Sequence, residues 1–351
     1  MLLYIHIPYC DSKCHYCSFN SYVDKFDTRV AYMKALYRQL IHELDRFEAK
    51  ENSIDTLFIG GGTPSTISPT LYRPIFELLH PYLKDGAEIT TEANPNSATK
   101  EWIEGMRDLG VNRISFGVQS FDKKKLKALN RAHTPKDAIE SVESAKSLGI
   151  EHISLDIIYN YRGDTKELLK NDIDTALSLP IDHISAYELT IEPHTTFANT
   201  PEVRQSDDEL AFFVAKSITD RGFDHYEISN FGHYQSRHNQ GYWRLDDYIG
   251  AGAGAVGFLK DKRYYPQTDI DRYIDSPLDI SIERLTSKDI LTERIFLGLR
   301  SDIGIDRATL SNDMQKRADY LLSKGKLSLD KDSYKNSNLF LADEIALYII
   351  D

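Results

Sequence analysis

Cys10, Cys14 and Cys17 are the only thiols in this 351-residue chain, and all three stand in the run IHIPYCDSKCHYCSFN. Soft thiolates gathered in one short turn suit zinc or an iron–sulfur centre. Three of them leave a tetrahedral zinc site one ligand short, and His6 or His15 lies close enough in sequence to close it. An iron–sulfur cube normally takes four cysteines, so three would leave one iron open to an outside ligand. Three packed structural thiols, or a disulfide that strands the third, are the chemically inert readings.

The elements that must position such a loop can be read from hydrophobic spacing. Short apolar runs at Leu2–Ile7, Thr56–Ile59, Glu88–Glu92, Arg113–Gly117, His152–Ile158 and His183–Glu188 predict strands. Amphipathic segments near 28–48, 69–83, 99–109, 135–148 and 165–178 predict helices, with Ser68-Pro69 and Thr165 as helix starts. Strand–helix units repeated in this way imply an α/β fold with a parallel sheet and right-handed crossovers. Six units suggest an incomplete (β/α)6 barrel. Ligands of such sheets gather at the carboxyl ends of the strands. There the chain places the cysteine loop, Gly60-Gly61-Gly62-Thr63-Pro64, Glu92-Ala93-Asn94-Pro95, Gln119, Asp156 and Tyr187-Glu188-Leu189-Thr190.

A net charge of −12 argues against a general nucleic-acid binder, and the Lys123-Lys124-Lys125 run is expected to be a solvated helix face. No apolar stretch reaches the roughly 18 residues of a membrane span, and no signal segment precedes the cysteine loop. A cytoplasmic location is the expectation. We divide the chain into a partial barrel over 1–200, a barrel extension over 201–280 and a small winged-helix-like domain over 281–351. The last rests on helical patterns at 286–300 and 306–323 with apolar runs at 326–329 and 339–341.

The C-x3-C-x2-C spacing with Tyr16 before the last cysteine resembles the signature of radical S-adenosylmethionine (SAM) proteins. YIHIPYC, GGGTP, Glu92, FGVQSFD, NRAH and LDIIY follow in the order seen in the oxygen-independent coproporphyrinogen III oxidase-like family of that superfamily. The resemblance covers nearly the whole chain. It implies that Cys10, Cys14 and Cys17 hold a 4Fe-4S cluster and that SAM chelates its open iron. It further implies that Tyr4, Tyr16, Gly62, Thr63, Glu92, Gln119, Arg131 and Asp156 bind SAM. Arg131 would face the methionine carboxylate, Tyr16 the adenine, and Gly62 with Thr63 the amino end. The chain departs from the family at Asn160-Tyr161-Arg162-Gly163, where a Gly-Leu-Pro-Gly turn is common, and at Thr190, where the decarboxylating branch has a different small residue.

Two branches of the family compete. The decarboxylase has a fourth cysteine two positions after the third and an N-terminal arm; here Phe19 occupies that position and nine residues precede Cys10. RHNQGYW at 237–243 resembles the haem chaperone branch instead. That likeness implies haem as a third bound group, with His238, Tyr242 and Trp243 as its contacts; a core-packing role for the same loop is the plainer reading. Imidazole is a good haem ligand, and the glycines at 250, 252, 254 and 257 would let a backbone approach closely. The implied partners are haem-accepting proteins such as respiratory enzymes, an electron donor for the cluster and a second copy of the chain as a homodimer. Transient contact with a membrane surface is a further implication.

Overall fold

The six expected strands form a parallel series in chain order in the computed structural model, which describes residues 1–351. They are β1 (Leu2–Ile7), β2 (Ile54–Gly61), β3 (Leu83–Ala93), β4 (Arg113–Gln119), β5 (His152–Tyr159) and β6 (His183–Glu188). The connecting helices are α1 (Arg29–Arg46), α2 (Pro69–Leu79), α3 (Lys100–Asp108), α4 (Lys123–Ala128), α5 (Pro135–Ser147) and α6 (Lys166–Ser178). Ser68 and Thr165 cap α2 and α6 by accepting from backbone amides of the first turn. Ile114, Phe116 and Val118 send one face of β4 into the main apolar core with residues of α3 and α5. The alternate residues Arg113, Ser115 and Gly117 face inward.

The sheet continues past both ends of this series. Beyond it come α7 (Asp208–Thr219), β7 (Asp224–His225), β8 (Asn230–Gly232), α8 (Arg237–Trp243), β9 (Tyr248–Ala251), β10 (Gly257–Leu259), β11 (Lys262–Pro266), α9 (Ile270–Asp275) and β12 (Ile280–Arg284). The twelve strands run β12-β11-β10-β9-β1-β2-β3-β4-β5-β6-β8-β7, and the two ends do not pair. β9 lies parallel to β1, and β8 runs antiparallel to β6. The glycine-rich 250s therefore serve chain packing: a Cβ at Gly250 would strike the Val256 carbonyl, and Gly252, at φ +111°, lies against the His6 carbonyl.

The C-terminal segment has its own core, with Ile295, Leu299, Ile305, Tyr334 and Ile349 among its members. α10 (Ser287–Leu299), β13 (Ile305–Asp306), α11 (Asn312–Ser323), the hairpin β14 (Leu327–Asp330) and β15 (Ser333–Asn336), and α12 (Ala342–Ile350) follow in order, the winged-helix-like arrangement. α11 starts later than the periodicity suggests because Arg307–Thr309 form a 3-10 turn behind Asp306. A short antiparallel bridge joins this unit to the barrel. Ile228 donates to the Arg300 carbonyl at 2.9 Å, and Asp302 donates to that of Tyr226 at 2.8 Å.

One surface expectation is corrected. Lys125 is 2% exposed, because α4 lies over the end of β5 and turns this residue inward. Its ammonium donates to the Ile158 carbonyl at 2.6 Å and pairs with buried Asp164 at 2.8 Å. Lys125→Ala should lower unfolding stability by about 3–5 kcal/mol, since it strands a buried carboxylate. Chemical denaturation checks this, and Lys125→Met combined with Asp164→Asn should recover most of the loss. Glu227, buried at the C-terminal junction, is pushed up to about 8 by its burial. A raised carboxyl holds its proton more tightly in the folded state, so its contribution is complete below the ordinary glutamate range. That contribution fades as pH rises through about 8. Thermal melts from pH 5 to 9 should show this slope, flattened in Glu227→Gln.

Candidate functional site

The cysteine loop leaves β1 and is stitched down at both ends. Tyr22 donates to the Pro8 carbonyl at 2.7 Å, and the Cys10 amide donates to that of Tyr22 at 3.0 Å. On the far side the His15 amide donates to Leu129 O at 3.2 Å, and Asn130 Nδ2 to Lys13 O at 2.8 Å. The turn after α4 therefore acts as a second wall for the loop. Tyr16 packs beside Leu129, Ile158, Leu189 and Phe197 in a small apolar cluster at the barrel mouth.

Two thiols are joined by a continuous run of side-chain hydrogen bonds. Thr63 Oγ1, just past β2, donates to Cys10 Sγ at 3.4 Å and accepts from Asn94 Nδ2 at 3.0 Å. Asn94 Oδ1, just past β3, accepts from Arg131 Nη2 at 2.6 Å, and Arg131 Nη1 donates to Cys14 Sγ at 3.1 Å. Donors aimed at ligating sulfurs orient them and moderate their charge. Burial pushes the Cys10 thiol up, and the Thr63 hydroxyl opposes that shift. Asn94 was not singled out from the sequence, although its place directly after a strand was the available signal.

The donor set fits a cluster better than a single ion. His6 has both ring nitrogens engaged, Nδ1 with the Tyr4 hydroxyl at 3.0 Å and Nε2 with Asn20 O at 2.8 Å. His15 holds Nδ1 against Ala128 O at 3.0 Å. No three His, Cys, Asp or Glu side chains converge on one point that a single ion would fill. Convergence is a requirement of a mononuclear zinc site, not of a cube in which each iron takes its own thiolate.

The other expected SAM residues gather at the same strand ends. Gly61, at φ +113°, donates its amide to Glu92 Oε2 at 3.0 Å, and a Cβ there would collide with the His6 ring. Gly62 gives its amide to Ile7 O at 2.8 Å, and a Cβ on it would strike the Tyr9 backbone. These glycines thus admit the first strand and its loop. Burial, then the nearby Asp156 carboxyl, push Glu92 up to about 7. Asp156 is raised by burial and accepts from Ser115 Oγ at 3.2 Å. Gln119 sits at φ +70° past a register shift between Gly117 and Gln119, so a bulge re-aims it toward the mouth. Tyr187, also missed as a site residue, lies near both Asp156 and Glu92 and is 41% exposed at the mouth.

The RHNQGYW segment is the helix α8 rather than a loop. It docks where β1–β3 begin, at the opposite end of the barrel from the cysteines. The Glu88 carboxylate accepts from the amides of Arg237 at 2.8 Å and His238 at 3.0 Å. His238 is 1% exposed. Its Nδ1 meets Thr56 Oγ1 at 2.7 Å and its Nε2 the Tyr242 hydroxyl at 2.9 Å. Burial holds its pKa at about 3, so the ring is neutral. Both ring nitrogens are thus already taken in this conformation, so an iron would have to displace the Tyr242 hydroxyl to reach Nε2. Tyr242 and Trp243 remain partly exposed, and Trp243 Nε1 has no partner.

Comparison with known proteins agrees with this geometry. A family model described as the radical SAM superfamily matches residues 4–176. The heme chaperone HemW of Bacillus subtilis is 33% identical over 335 residues, covering 91% of this chain and 88% of that protein. The HemW of Lactococcus lactis is 36% identical over 86% of this chain and 82% of its own, and that of Escherichia coli is 33% identical over 93% and 96%. Among solved structures, coproporphyrinogen III oxidase (HemN) from Escherichia coli superposes with a TM-score of 0.82 at 20% identity. That likeness covers 99% of this chain and 89% of the other, and it shows a shared fold. The chain belongs to the radical SAM superfamily and, within it, to the family of the proteins named heme chaperone HemW.

Proposed function

We propose that the protein is a haem chaperone on a radical SAM scaffold, which binds a 4Fe-4S cluster, SAM and haem and passes haem to acceptor proteins. The observation that carries this reading is the extent of the likeness to proteins named heme chaperone HemW. It runs through the cysteine-bearing barrel and the RHNQGYW helix alike. Cys10, Cys14 and Cys17 would hold the cluster, and Phe19 stands where the decarboxylase branch has a fourth cysteine. When bound, the cluster would supply an iron with an open position that SAM can chelate, and a source of one electron.

The chain's own groups have definite tasks in this reading. Thr63 and Arg131 fix the two thiols they touch. Arg131, at the rim, is suited to a carboxylate beside the open iron because its fork is planar and always charged. Glu92 and Asp156 offer acceptors to the SAM ammonium or ribose hydroxyls. Tyr16 lends an aromatic face at the mouth. His238 would meet a haem iron only after its Nε2 leaves the Tyr242 hydroxyl, with Tyr242 and Trp243 alongside the ring. No helix is long and apolar enough to cross a membrane, so any contact with membrane-bound acceptors would be made by the folded surface.

Protein reconstituted without oxygen should carry iron and acid-labile sulfide in equal amounts and no stoichiometric zinc. Asn94→Ala, which cuts the run between the two thiols, should release its cluster several-fold faster under a chelator; equal rates would remove Asn94 from that role. Haem titration should give a shifted Soret band. Tyr242→Phe frees Nε2 and should tighten binding several-fold, whereas His238→Ala should weaken it and alter the band. If neither variant differs from the native protein, His238 is a packing residue of the barrel floor and not a ligand.

A further inference from the structure

The inward face of the barrel carries a cation that the reading above leaves without a task. Arg113 opens β4 and is the largest fully buried side chain of the protein, at 2% exposure. Its Nε has no hydrogen-bond partner, and no carboxylate stands at ion-pair distance. Glu88, inward-facing on the neighbouring strand, is already committed to the Tyr234 hydroxyl and the first amides of α8. Around Arg113 stand His183, His238, Tyr226 and Tyr234. Each is near enough to feel its charge, and none offers a negative one at neutral pH. On the mouth side lie Glu92 and Asp156, whose carboxyls burial raises and Arg113 draws back down.

A guanidinium buried without a partner is costly in a low-dielectric interior, and its planar fork matches a carboxylate. We propose that Arg113 is a carboxylate subsite on the floor of the barrel lumen and that it receives a propionate arm of the tetrapyrrole. This rests on the haem reading. The methionine carboxylate of SAM is the other source of the same chemistry, and position separates the two. A carboxylate that chelates the open iron must stay at the rim, beside Cys14 and Arg131. Arg113 begins its strand, whereas the cysteine loop lies beyond the strand ends. A strand of this length spans about 20 Å. A propionate is a flexible, negatively charged arm that can reach Arg113 from a macrocycle whose iron His238 holds at this same end of the barrel.

The test compares haem with haem dimethyl ester, which lacks both carboxylates, as ligands of the cluster-loaded protein under anaerobic conditions. The native protein should bind haem on the order of ten- to a hundredfold more tightly than the ester, the span of a charge-assisted hydrogen-bonded pair. Arg113→Met should abolish that ratio and leave SAM binding and iron content unchanged. Should Arg113→Met fail to fold in a thermal melt, Arg113→Lys carries the test. It keeps the charge but loses the fork, and it should narrow the ratio. A ratio preserved in the variant overturns the subsite, as does native protein that binds both forms equally; a loss of SAM binding instead assigns the arginine to SAM. Native protein that gives no Soret shift with haem sinks the haem reading itself, a distinguishable result.

Discussion

The run of hydrogen bonds from Cys10 through Thr63, Asn94 and Arg131 to Cys14 is the constraint on which the site depends, because its members come from four separate stretches of chain. Thr63 follows β2, Asn94 follows β3, and Arg131 follows α4. They meet only if β1, β2 and β3 keep their parallel register, with Ile5 opposite Ile59 and Ile59 opposite Thr91. A one-residue slip would turn each strand's side chains to the other face. The short loop that carries the thiols has little core of its own. Its geometry is borrowed from the sheet, and the apolar packing of the outer face therefore serves the chemistry at the mouth.

The same alternation explains why the barrel can be polar inside. Ile114, Phe116 and Val118 of β4, like Leu57 and Ile59 of β2, point to the helices and join the main core. Their alternates point inward: Thr56 and Phe58, Glu88, Thr90 and Glu92, Arg113 and Ser115, Ser154 and Asp156. Buried polar groups need partners, and the floor supplies many of them. Tyr234, Arg237 and His238 all spend hydrogen bonds on Glu88. Ser154 meets His183 Nδ1 at 2.6 Å, and His183 Nε2 meets the Tyr226 hydroxyl at 2.7 Å. Arg113 and the Thr90 hydroxyl opposite it in register are left without partners on this otherwise bonded floor, and a buried unpaired cation carries more information than an exposed arginine would.

Much of this was legible in the residues. The six parallel strands follow from short apolar runs at regular spacing, and their order brings Glu92, Gln119 and Asp156 to the same mouth. What was not legible depends on distant partners. Lys125 reads as one of three solvated lysines, and only the packing of α4 over β5 brings Asp164 beneath it. β9 through β12 are three to five residues long, with glycine in β9 and β10, and β9 finds β1 across 246 positions of sequence. His238 shows why a motif does not fix a geometry. Spacing put an imidazole beside two aromatic residues, but the helix that this spacing forms turns the ring inward onto Thr56.

The cysteine loop and α8 thus occupy opposite ends of one barrel, and the side chains between them form a connected column. Tyr242 meets His238 edge to face at 4.8 Å, His238 lies 5.1 Å from Phe58, and Phe58 lies 6.2 Å from Tyr4. Tyr4 is bonded to His6, which holds the cysteine loop through the Asn20 carbonyl. Interiors packed at crystal density accommodate an inserted ring by moving neighbours rather than by compressing them. Tyr242 is partly exposed, so a ligand can part it from His238 by turning it outward, and the contacts through Phe58 and Tyr4 carry any shift of the imidazole toward His6. Floor and mouth are joined by contact rather than by proximity in sequence, and a flat macrocycle held in the lumen would press on both.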